Sequence, residues 1–65
     1  MERVSQSEFD EFLDQFDRKY IRYELWTACD PPVTLLYYDD NIIAKRSSSY
    51  MGSPVRYFVE QDYNA

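Results

Sequence analysis

The chain has 65 residues, a formal net charge of −5, one cysteine, one glycine and no histidine. That length holds a single domain with one small core, because a chain of this size buries only about 60% of the surface its unfolded form exposes. Without histidine, and with Cys29 as the lone thiol, the usual zinc sites and the commonest general base are excluded, and Gly52 cannot by itself build a phosphate-binding loop.

The charge is localised. Glu2, Glu8, Asp10, Glu11, Asp14 and Asp17 stand against Arg3 in residues 1–17, whereas acids and bases balance over residues 18–65. The first of these segments also carries the clearest helical period. Ser5 with Glu8, and Ser7 with Asp10, stand at capping-box spacing. Phe9, Phe12, Leu13, Phe16 and Tyr20 then form one apolar stripe. With acids in the first turns and Arg18 and Lys19 at the end, the charges complement a helix dipole, and the pattern predicts a helix over about residues 6–19.

Residues 20–28 also continue the stripe through Tyr23 and Thr27, but they alternate, with Ile21, Tyr23 and Leu25 facing one way. They are rich in β-branched and aromatic types, so a strand is expected over about 21–28. Asp30-Pro31-Pro32 interrupts regular structure. Strands follow over about 33–38 and 42–48, joined by Asp39-Asp40-Asn41, in which Asn41 suits a left-handed turn position. Tyr50-Met51-Gly52-Ser53-Pro54 reads as a second turn with Gly52 at positive φ, before a strand over about 55–60 and a polar tail over 61–65. The fold class is α+β: one N-terminal amphipathic helix on one face of a three- to four-stranded antiparallel β-meander.

Such a helix covers one face of the sheet. Leu35 and Leu36, Tyr37 and Tyr38, and Ile42 and Ile43 are adjacent pairs, and neighbours on a strand point to opposite faces. One Leu, one Tyr and one Ile therefore belong to the face away from the helix, with Trp26 beside them, and an apolar face of this kind marks an interaction surface. The alternative is that loops fold back over it.

A second candidate surface lies on the helix. At 100° per residue Asp10, Asp14 and Asp17 fall on one flank of the stripe. Such a row of carboxylates could imitate nucleic-acid phosphates or steer onto a basic protein patch. The competing reading is a solvated flank, with Asp14 paired to Arg18. Asp39-Asp40-Asn41 is too short to wrap a cation and reads as a turn. Lys45, Arg46 and Arg56, with Tyr50 and Tyr57 among them, could neutralise and stack single-stranded nucleic acid, but a net charge of −5 opposes it. The chain is too small for a cleft with paired catalytic carboxylates. Cys29 lacks an activating histidine and is expected to be a small buried or half-buried hydrophobe beside Pro31 and Pro32.

In size, acidity and lack of catalytic residues the chain resembles the short accessory proteins of phages, prophages and other mobile elements. That resemblance of kind rests on no motif, assigns no residue, and implies a protein that binds and blocks a larger partner. The expectation is therefore a non-catalytic interaction protein, without cofactor or metal, that inhibits or modulates a protein partner through Asp10, Asp14 and Asp17 or through Trp26, Tyr37 or Tyr38, and Ile42 or Ile43. The alternatives are a homodimer formed through the open sheet face and a single-stranded nucleic-acid binder using Lys45, Arg46, Arg56 and the tyrosines. The opening Met-Glu-Arg-Val-Ser-Gln is unlike a signal peptide, the lone cysteine fits a reducing compartment, and no apolar run reaches a membrane-spanning length. A cytoplasmic location is expected.

Overall fold

The computed structural model describes residues 1–28, 31–49 and 52–63. Strand β1 (Glu2–Val4) leads into helix α1 (Gln6–Leu13), then a short 3-10 turn (Arg18–Tyr20) and strands β2 (Ile21–Trp26), β3 (Val33–Tyr38), β4 (Asn41–Ser47) and β5 (Arg56–Val59). All neighbours in the sheet are antiparallel, in the order β1-β5-β4-β3-β2. The meander is present. Among the described residues the sheet has five strands rather than three or four, because Glu2, Arg3 and Val4 pair with Val59, Phe58 and Tyr57. Three residues show too short an alternation to announce a strand in the sequence.

Helix α1 starts where the sequence places it. Ser5 is the N-cap: the Glu8 amide donates to Ser5 Oγ at 3.2 Å, and the Ser5 amide donates to Glu8 Oε1 at 3.1 Å. Hydrogen bonding to the Ser5 backbone amide first, and then to the Ser5 side chain, holds the Glu8 carboxyl below its ordinary value of 4.5.

The helix ends six residues before the expected Lys19. The amides of Gln15 and Phe16 turn back to the carbonyls of Phe12 and Leu13, three residues away, which tightens and closes the last turn. Asp17 then caps the 3-10 turn, accepting from the Lys19 amide at 3.3 Å. This break lets Phe16 leave the helical stripe. It is buried with its ring 5.3 Å from Phe12, 4.8 Å from Tyr38 and 5.8 Å from Tyr63. Tyr20, expected on the stripe, is instead 62% exposed.

The core lies between α1 and one sheet face, here the helix face. Phe9, Phe12, Leu13 and Phe16 close over Ile21, Leu36, Ile43, Ala44 and Val59, and Phe9 meets the Tyr57 ring at 5.0 Å. Strand β4 carries a bulge. Leu36 pairs with Ala44 while Tyr37 pairs with Ile42, so Ile43 is an extra residue. A bulge suspends alternation locally, and both Ile43 and Ala44 are fully buried.

The β3–β4 hairpin turns through Asp39 (φ 52°) and Asp40 (φ 64°), two left-handed residues, as a tight two-residue loop requires. The left-handed positions are the aspartates, not Asn41. Asn41 opens β4 opposite Tyr38, and its side-chain amide donates to the Asp39 carbonyl at 3.0 Å. Gly52 has the expected positive φ, 84°. The expectations for Cys29, Asp30, Tyr50 and Met51 lie outside the described residues.

Candidate functional site

Register and pleat assign every strand residue to a face. Arg3, Phe58, Lys45, Leu35 and Glu24 form one row across all five strands on the face opposite α1. Arg56, Ser47, Val33 and Trp26 form the row on one side of it, and Ile42, Tyr37 and Arg22 the row on the other. This is the open face. The only α-helix among the described residues packs on the other side.

The predicted residues separate cleanly. From each ambiguous pair, Leu35, Tyr37 and Ile42 reach the open face and join Trp26, while Leu36, Tyr38 and Ile43 turn to the helix face. Ile43 is wholly enclosed, and Tyr38 is half-buried against Phe16. Ile42 is 39% exposed and Trp26 46%. Phe58 belongs to the same surface, although sequence reasoning did not single it out. The alternation of Val55, Tyr57 and Val59 on the other face was the available signal for it.

The polar groups of the open face are arranged around these side chains. Arg22 Nη1 donates to Glu24 Oε2 at 3.0 Å, and its guanidinium lies 4.2 Å from the centre of the Tyr37 ring. Trp26 Nε1 donates to the other oxygen of the same carboxylate. Lys45 Nζ stands 4.6 Å from the centre of the Phe58 ring. Glu24 is thus engaged twice, whereas Arg3, Lys45 and Arg56 make no ion pair among the described residues. Despite the overall charge of −5, three bases remain on this face without a carboxylate partner among those residues. Cations held over aromatic rings keep their charge and bury their stems, so the surface is both apolar and basic.

The acidic flank is arranged differently. Asp10 is on α1, Asp14 is its C-cap, and Asp17 caps the 3-10 turn, so the three do not form a row on one helix. Asp14 accepts from Arg18 at 3.0 Å, and Asp17 pairs with Lys19 at 3.7 Å. Asp10 lines a small cleft beside α1 with Arg18, Tyr23 and Arg46. Lys45 and Arg56 share the open face, but Arg46 lies opposite Tyr57 on the helix face, which splits the predicted basic set.

A hollow at the β2–β3 end is lined by Tyr20, Arg22, Tyr37, Tyr38, Asp39 and Asp40. Arg22 already occupies the Tyr37 ring there. Among the described residues, no three or more Cys, Asp or Glu side chains gather where they could hold a metal ion, and no helix is long and apolar enough to cross a membrane. Comparison with protein-family models, with curated proteins and with solved structures finds no match to this chain.

Proposed function

We propose that this is a non-catalytic interaction protein whose open sheet face binds a larger protein partner and thereby modulates or inhibits it. The observation that carries this reading is the shared surface of Trp26, Leu35, Tyr37, Ile42 and Phe58, on a sheet whose helix lies on the other side. Aromatic residues and arginine on a rigid sheet are the side chains that most often anchor a protein interface. The fitting partner surface is apolar at its centre and acidic at its border, opposite Arg3, Lys45 and Arg56.

The acidic flank has less support as a contact surface, because Asp14 and Asp17 are occupied by Arg18 and Lys19. A homodimer formed face to face would set these bases near their own copies, which electrostatics disfavours. The second reading, single-stranded nucleic acid, rests on the Arg22–Tyr37 and Lys45–Phe58 stacks, since aromatic platforms beside bases suit unpaired strands.

The test is affinity capture from the native host with three baits: wild type, Ile42→Asp with Tyr37→Thr, and Asp10→Lys with Asp14→Lys. The sheet-face variant should lose the partner and the helix variant should keep it. The opposite pattern would move the function to the acidic flank. Tight binding of single-stranded oligonucleotides at low salt, lost in Lys45→Glu, would replace the protein partner with nucleic acid.

A further inference from the structure

Among the described residues strand β2 is an edge of the sheet, with β3 on one side and no strand on the other. Six large hydrophobic residues are exposed among the described ones, and four of them are in β2 or next to it: Tyr20, Tyr23, Leu25 and Trp26. They do not share a face. Tyr23 and Leu25 stand on the helix face, 56% and 62% exposed, while Trp26 stands on the open face. A partner lying on either face would cover one set and leave the other in water. A strand added along the edge would bring neighbours to both at once.

The two edges differ. At the far edge, β1 is three residues long and carries Arg3, which suits an edge kept from further pairing. Strand β2 has six residues, no proline, no lysine and an unbroken register with β3. Its two charged side chains, Arg22 and Glu24, pair with each other at 3.0 Å, and apart from them it lacks the features that normally discourage pairing.

We propose that β2 pairs antiparallel with β2 of a second copy of this chain, about a two-fold axis perpendicular to the sheet, so that the two sheets run on as one. The sequence Ile21-Arg22-Tyr23-Glu24-Leu25 is self-complementary in one register, with Tyr23 at the axis. Arg22 then stands opposite the second copy's Glu24, and Glu24 opposite the second copy's Arg22. Since Arg22 and Glu24 already pair within the strand at 3.0 Å, the dimer closes a ring of four alternating charges on the open face. On the helix face the two Tyr23 rings meet each other, and Leu25 stands opposite the second copy's Ile21, which is buried in its own core. Registers centred on Arg22 or on Glu24 would place like charges at the axis, which cross-strand energetics penalises. Whichever alternate set of β2 amides points outward, a two-fold centred on a residue brings donors opposite acceptors.

This inference does not rest on the partner-binding reading, and the purified chain tests it. Sedimentation at high micromolar concentration should give a dimer; a monomer throughout would overturn the proposal. Arg22→Glu and Glu24→Arg should each weaken self-association by about tenfold or more, from the two cross-strand pairs reversed. Mixing the two variants should restore a dimer, because each reversed position then meets the opposite sign. Circular dichroism should show each variant folded like wild type. Variants that associate as tightly as wild type, or a mixture that stays monomeric, would refute the register. Ile42→Asp with Tyr37→Thr should remain dimeric, and its dissociation would place the contact on the face instead of the edge.

Discussion

Asp40 holds a left-handed conformation, φ 64°, that costs an L-residue about 1 kcal/mol and costs glycine almost nothing. Asp40→Gly would also create the Asp-Gly pair favoured in two-residue hairpins. It should raise stability by up to about 1 kcal/mol, read as a higher urea midpoint with unchanged slope. Ile43 tests the opposite case. It is the bulged residue and fully buried, so Ile43→Val should cost about 1 kcal/mol and Ile43→Ala about 2–5 kcal/mol in the same measurement. Glu8 gives a pH dependence. Its pKa is depressed in the fold by the Ser5 hydrogen bonds, so its contribution is present above the ordinary glutamate range and is lost as pH falls through the lowered value. The stability difference between wild type and Glu8→Gln should therefore shrink as pH is lowered from neutral into that range.

At the scale of elements, the start of α1 was legible and its end was not. Ser5 and Glu8 form a capping box that the spacing announces, but the helix stops at Leu13 without a glycine or proline. The stop comes from the amides of Gln15 and Phe16 closing the last turn on Phe12 and Leu13, and from Asp17, whose side chain accepts from the Lys19 amide and starts the next turn. Amide exchange tests this boundary. A helix reaching Lys19 would bond the Asp17 and Arg18 amides to Leu13 and Asp14, whereas here those two amides should exchange as fast as a surface turn. The strands were legible because alternation and turn chemistry agree. Strict alternation predicted which pairs would divide between the faces, and the bulge at Ile43 explains why Ala44 is buried beside it. Only three-dimensional register could choose Leu35, Tyr37 and Ile42 over their neighbours. It also brings in Phe58 and Arg3, which are far apart in sequence and adjacent in the sheet.

Across the whole molecule, the net charge of −5 misdescribes the open face of the sheet. Glu8, Asp10, Glu11, Asp14 and Asp17 lie on the helix and the turn after it, while the open face has Glu24 twice engaged and Arg3, Lys45 and Arg56 beyond its reach. Summing charges along the chain could not reveal this segregation, because the bases come from β1, β4 and β5 and gather only when those strands pair. An acidic protein thus presents a basic, aromatic sheet.

The most direct test of this account is the association rate with a captured partner, measured for charge-reversed variants at low and moderate salt. Lys45→Glu with Arg56→Glu should slow association and weaken its salt dependence, while Asp10→Lys with Asp14→Lys should leave the rate unchanged or raise it. Slower association in the aspartate variant, with no effect of reversing Lys45 and Arg56, would contradict it.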